Sequence, residues 1–286
     1  MTAPVLADAL GPRARRRVFI ASIVASVAIA FAAFVAFRRL SDKGQLDWAR
    51  WEPLTQWSVL KYLLLGLAAT VRAAVAGMVI AMVLGAGLAL MRLARTAPVR
   101  WLAAAWVEFF RGFPLLLLIF FTFFALPKYG VSMNPFRALV LALALYNGAM
   151  LGEIFRAGIL SLDRGQSEAA YAVGMSYWQA MFIVVIPQAA RRMTPAIIGQ
   201  LITLLKDTSL GFVITYEELL RRSRSTGEFF KNPLQVTVFV AVVYIAVNFV
   251  LSRIAQRLET RQRRRYGASA IVVTGAEDLT AVSVKA

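Results

Sequence analysis

The sequence contains no cysteine and no histidine in 286 residues. Their absence excludes disulfides, a thiol nucleophile, an imidazole base and the usual zinc ligand sets, which leaves carboxylates and hydroxyls for any chemistry. Charge is scarce as well. Asp, Glu, Lys and Arg make up 16% of the chain and apolar residues 59%, where a soluble domain carries roughly 25% charged and about 45 to 50% apolar residues. A water-facing surface for a chain of this size cannot be made from that composition. Nor does any Gly-x-x-x-x-Gly-Lys-Ser/Thr run occur, so the chain has no such loop of backbone amides to cradle ATP phosphates.

What charge there is has one dominant sign: 32 Lys and Arg against 15 Asp and Glu, a formal net charge of +17. Long uncharged runs separate these residues, which argues against the continuous basic face of a nucleic-acid binder and for charge at membrane edges. About 20 apolar residues cross a hydrocarbon core of roughly 30 Å. Val18 to Phe37 meets that length without a charge; the flanking Arg13 and Arg15 to Arg17 resemble the basic start of a signal peptide, but the run is too long for such a segment and more spans follow, so it reads as a retained anchor. A second span, Tyr62 to Met91, is interrupted only by Arg72, which can snorkel from the outer side, and repeats Gly77, Ala81, Gly85 and Ala89 along one face. The third apolar run, Phe113 to Leu126, is too short alone. Either its helix extends back through Glu108 and Arg111, or the chain breaks at Arg111-Gly112-Phe113-Pro114. Further spans are expected at about Phe136 to Ile159, Pro187 to Tyr216 and Leu234 to Ser252.

The fold class is therefore an all-α membrane protein of about six transmembrane helices, with both termini on one side. Placing the N-terminus inside puts 17 basic residues on the inner segments and 11 on the outer ones, which favours termini in the cytoplasm. The segment from Glu217 to Lys231 then lies outside although it is basic. Met1 to Pro12 and the tail from Tyr266 to Ala286 have no helical period.

One inner segment, Ser161 to Ala180, is too long and too patterned for a turn. Ser167 can cap a helix with Glu168 near its positive end, and Gly174 would interrupt it. The run Glu168-Ala169-Ala170, then Gly174, then Val184-Val185-Ile186-Pro187 resembles the EAA loop of ATP-binding cassette (ABC) importer permeases, with Val184 and Ile186 standing for the family's Ile and Leu. Further words resemble the polar amino acid branch, whose members carry glutamate/aspartate, histidine or glutamine: Arg111-Gly112-Phe113-Pro114, Gly152-Glu153-Ile154-Phe155-Arg156-Ala157-Gly158, Pro187-Gln188-Ala189 and Lys206-Asp207-Thr208-Ser209.

The resemblance implies a five-helix type I importer core over residues 58–258 with a cytoplasmic coupling helix in the loop 161–180. It implies an N-terminal extension over 1–57, with one anchor helix and an external linker, and a basic tail over 259–286. The extension is most similar to glutamate permease subunits. The implied partners are a cytoplasmic ATPase dimer that binds ATP and Mg, a second permease chain, an external solute-binding protein, an amino acid substrate and membrane lipid. No nucleic acid, metal or catalytic residue is expected. The setting is the bacterial plasma membrane. Glu168, Ala169, Ala170 and Gly174 would dock on the ATPase, with Glu168 as polar anchor or as helix cap.

The candidate substrate path is read from polar groups inside the bilayer, where an unpaired charge is costly. Lys206 lies about 14 residues, roughly 21 Å, beyond Arg192 and so at middle or outer depth. Lys206 and Asp207 point about 100° apart and cannot pair with each other, so each serves either a substrate group or an ion pair between helices. Thr208 and Ser209 bond either substrate or backbone carbonyls. Asn147 must face protein or a cavity. Glu153 with Arg156, and Glu108 with Arg111, are i, i+3 pairs that form structural bridges or a gate. An ion-coupled secondary transporter would use the same charges, but no inverted repeat is evident.

Overall fold

The computed structural model describes residues 11–257; the expected tail over 259–286 and the first ten residues lie outside that range. Among the described residues every regular element is helical. Helix α1 is Pro12–Asp42, α2 is Trp57–Arg92, α3 is Ala97–Gly112 and α4 is the helical run Leu115–Tyr129. Then come α5 (Pro135–Leu160), α6 (Arg164–Ala172), α7 (the run Tyr177–Ile214), α8 (Leu219–Phe229) and α9 (Pro233–Arg257). Five of these are long and apolar enough to cross a membrane, and α3 with α4 supplies a sixth crossing if the bent pair counts as one.

The bend is 100°, and it decides between the two readings of the third run: the chain breaks. Phe113 and Pro114 both take extended backbone between the two helices, because proline removes an amide donor and pushes its predecessor out of the helical region. Glu108 and Arg111 end α3 on the near side of that break, 3.6 Å apart and largely exposed.

The core is a helix pair, α2 against α5. The stripe Gly77, Ala81, Gly85 and Ala89 is buried throughout. A Cβ on Gly85 would stand 2.8 Å from Leu151 Cβ and 3.0 Å from the Gly148 carbonyl oxygen, while one on Gly152 would stand 3.2 Å from Leu88 Cβ. Glycine at these positions lets the backbones come together, as helices must where lipid supplies no hydrophobic drive. Helix α7 packs on this pair through Leu204 and Leu205, both buried.

Helix α7 departs from expectation. It begins at Tyr177, ten residues before Pro187, because Ser176 and Gln179 form a capping box and the helix then passes through a π turn at Ala180–Val185. The wider turn ends just before Pro187, which brings no amide of its own to the ladder.

The basic segment after α7, expected to be a loop, is α8. Arg221 and Arg222 pair with Glu217, Arg224 pairs with Glu228, and the Arg222 guanidinium also lies 4.5 Å over the Tyr62 ring. Its charge is thus largely compensated on site. Arg72 stacks 4.3 Å from the Phe136 ring at the start of α5, so it is anchored at that end of the bundle.

Helix α1 stands apart. None of its residues is buried, and only the segment following it is tied down, by Gln235 Nε2 donating to the Gln45 carbonyl (2.6 Å) and Asn232 Nδ2 to the Arg50 carbonyl (2.8 Å).

Candidate functional site

At the end of the bundle where α2 finishes and α7 begins, α6 projects as a separate short helix. Its N-cap is Asp163, whose Oδ1 accepts the Gly165 amide at 2.7 Å, so the helix opens a turn earlier than expected. Ser167 is not the cap; its hydroxyl donates to the Arg164 carbonyl. At the other end Gly174 has φ +84°, with its amide on the Tyr171 carbonyl and the Met175 amide on the Ala170 carbonyl. This is a Schellman close, which needs a residue content in the left-handed region, and glycine is that residue.

With the capping done by Asp163, Glu168 caps nothing and pairs with nothing among the described residues. It is exposed, and no cation lies within 4.0 Å of it among the described residues. Ala169 beside it is exposed, and Ala170 is buried and holds α6 to the bundle. Gln188 donates to Gln166 (3.0 Å) and Arg192 to the Ser161 carbonyl (2.6 Å), fixing α6 to α7.

Behind α6, Glu153 takes two guanidinium groups. Arg156 donates from Nη2 at 2.6 Å, and Arg92, at the end of α2, bonds the other carboxylate oxygen. The expected pair Glu153 and Arg156 is therefore a three-residue bridge that ties α5 to α2.

The intramembrane polar residues gather on α7. Ala196, Gly199, Thr203 and Lys206, spaced three and four apart, form a face that the chain's own helices leave open, with Gln200 and Asp207 half-buried beside it. Among the described residues no carboxylate lies within 4.0 Å of Lys206, and no cation within 4.0 Å of Asp207. Asn147 is fully buried one layer behind: Gln200 Nε2 donates to its Oδ1 at 2.6 Å, and its own Nδ2 to the Leu143 carbonyl at 2.9 Å. Thr208 is fully buried and its hydroxyl is bonded to the Leu205 carbonyl at 2.6 Å, so it faces away from this stripe. Ser209 is half-buried. Gln200 and Thr203 were missed in sequence, although an amide and a hydroxyl at three-residue spacing below Lys206 were the available signal.

At the opposite end lies a carboxylate no local pattern marked. Glu218 is fully buried and caps α8, accepting the Leu220 and Arg221 amides (2.8 and 2.6 Å) and the Tyr244 hydroxyl (3.0 Å). Burial raises its pKa from 4.5 to about 7, against the lowering effect of those donors. A carboxyl that holds its proton more tightly when folded stabilises the fold fully below pH 4.5, and that contribution is lost as pH rises to about 7. Amide exchange in α8 is therefore expected to be slower at pH 5 than at pH 8 beyond the intrinsic rate change, and Glu218→Gln should remove the difference. An equal difference in the variant would assign it elsewhere.

A bundle of membrane helices with small-residue packing, an open polar stripe and a short helix projecting from one connecting loop is the architecture of a transport subunit. The chain belongs to the family of binding-protein-dependent transport system inner membrane components, whose model matches residues 81–264. It is an amino acid ABC importer permease subunit, a multi-pass inner membrane protein that does not itself catalyse a reaction. It is similar to the glutamate transport system permease protein GluD of Corynebacterium glutamicum, 38% identical over 230 residues, covering 78% of this chain and 84% of that one. It is also similar to the probable glutamine ABC transporter permease protein GlnP of Bacillus subtilis, 45% identical over 178 residues, covering 60% and 80%. Among solved structures it resembles an amino acid ABC transporter crystallised with histidines, at TM-score 0.68 and 29% identity, over 73% of this chain and 97% of that one.

Proposed function

We propose that this permease carries an acidic amino acid, glutamate or aspartate, inward, with ATP and Mg bound by a separate cytoplasmic ATPase dimer that docks on Glu168, Ala169 and the turn at Gly174. The observation that carries the docking role is that Asp163, not Glu168, caps α6, which leaves an exposed carboxylate on a helix anchored from behind. The α6 end is then cytoplasmic, with both termini inside. An external solute-binding protein delivers the substrate, and a second permease chain covers the open face of α7 and completes the path.

Lys206 is the group that selects an anion. It is exposed within the span and without a carboxylate among the described residues, so a substrate carboxylate offsets a charge that the bilayer penalises. Asp207 and Ser209 flank it, and Gln200 and Thr203 continue the stripe toward the inner side, with Asn147 orienting Gln200. Lys206 offsets one substrate carboxylate, and the preference for acidic substrates over glutamine is drawn from the naming of the GluD relative.

The test is uptake of labelled glutamate into proteoliposomes holding permease, ATPase and binding protein. Lys206→Met should lower glutamate uptake at least tenfold while stimulated ATP hydrolysis persists. Unchanged uptake would remove Lys206 from the path, and competition by glutamine as strong as by aspartate would overturn the acidic preference.

A further inference from the structure

Beside the docking helix the structure holds a recess that the transport path does not use. Leu90, Leu93 and Ala94 form its apolar floor where α2 ends, Tyr177 and Trp178 form its wall where α7 begins, and Arg95 sits at its rim, around a volume of about 320 Å³. Both contributing helices are membrane spans, so the recess opens at the membrane edge, on the side of α6. The Arg95 guanidinium lies 5.5 Å over the Tyr177 ring, which holds the side chain while its donors stay free. Among the described residues no carboxylate is within 4.0 Å of it. Trp178 is exposed and stacks on Phe182, itself exposed, at 5.8 Å and 22° between the rings. Trp178 lines the recess, and Phe182, stacked on it, adds a second exposed aromatic surface.

We propose that this recess binds one anionic phospholipid, its phosphate on Arg95 and its acyl chains along Trp178 and Phe182. The charge is complementary, since the rim offers a fixed cation and no acid. The floor selects the source of the anion: a soluble phosphate would leave Leu90, Leu93 and Ala94 dry against its hydration shell, whereas a lipid brings its own apolar portion to cover them. Trp at such a position is the residue that belongs at headgroup depth. The site also joins two structural lines. Arg95 is three residues beyond Arg92, which ends α2 and shares Glu153 with Arg156, and Tyr177 comes three residues after the Gly174 close of α6. Occupancy would therefore pin the C-terminal root of the docking loop to the end of α2.

The lipid is one of the inner leaflet if α6 is cytoplasmic, as proposed above; the recess and its ligand chemistry do not depend on that. Native mass spectrometry of the whole complex, purified from membranes containing phosphatidylglycerol and phosphatidylcholine, reads the site directly. The wild type should retain a phosphatidylglycerol adduct in preference to phosphatidylcholine, and Arg95→Gln should retain at least fivefold less. Leu93→Trp, which fills the floor and keeps the charge, should lose the adduct as well at normal yield of the assembled complex. Equal retention in the wild type and both variants would overturn the proposal. So would a photo-crosslinking residue in place of Trp178 that labels the ATPase and not lipid. A complex in which Glu168 proves irrelevant to coupling would still show the adduct, so the two readings fail separately.

Discussion

Glu168→Lys is expected to abolish ATP hydrolysis stimulated by the loaded binding protein, a loss of at least a hundredfold in substrate-driven turnover, while the permease still reaches the membrane at normal levels. The reasoning is local. Glu168 makes no ion pair and caps nothing in the described chain, because Asp163 accepts the Gly165 amide and Gln166 is held by Gln188. Reversing its charge leaves α6 with the same cap, the same Schellman close and the same buried Ala170. What changes is the surface that the proposed docking would present to the ATPase, where a cation would stand in place of the carboxylate, and like charges across an interface cost several kcal/mol. Blotting of the membrane fraction and co-purification of the ATPase separate the two cases. Full stimulation in a well-inserted variant would remove Glu168 from the interface.

Gly85→Leu should act at the opposite level, on the fold. The Cβ alone would press on Leu151 Cβ at 2.8 Å and on the backbone of Gly148 and Gly152 at 3.0 Å, atoms that cannot swing aside. With the Cβ already obstructed, a leucine forces α2 and α5 apart along the interface that also buries Ala81 and Ala89. Overpacking of this kind costs roughly 1–3 kcal/mol in well-packed cores and more where backbone is the obstacle. Yield of folded protein in mild detergent should fall several-fold and the thermal midpoint should drop, with transport lost in proportion. Gly87→Leu is the matched control, since a Cβ there meets nothing within 4 Å. If the two variants behave alike, close approach at Gly85 is not what holds the pair.

The spans were legible because apolar length is a global property of a segment, and Val18 to Phe37, Tyr62 to Met91 and Phe136 to Ile159 all fall inside observed helices. The small-residue stripe was legible for the same reason, since its period names the buried face. Boundaries were less so. Pro187 reads as a helix start, yet the π turn before it lets α7 run on from Tyr177, and a change of turn width leaves no mark in residue type. The short helix within 161–180 and its stop at Gly174 were visible, but not which residue caps α6, because Asp163 and Ser167 are both good caps and only the backbone chooses between them. Glu218 was read as one more charge in a basic loop. Its burial comes from Thr70, whose hydroxyl receives the Leu219 amide, and from Tyr244 on α9, contacts that sequence spacing cannot express. The same holds for Arg92, counted as an edge charge and found on Glu153.

Helix α1 carries one more implication, for biogenesis. Because none of its residues is buried by the other described residues, insertion of α1 draws on transfer of its apolar side chains into lipid rather than on packing against the α2 and α5 pair. The anchor can enter the bilayer before the rest of the chain has been synthesised, and the later helices can then fold beneath a segment already tethered, with Gln45 and Arg50, just after α1, among the described residues that join it to them.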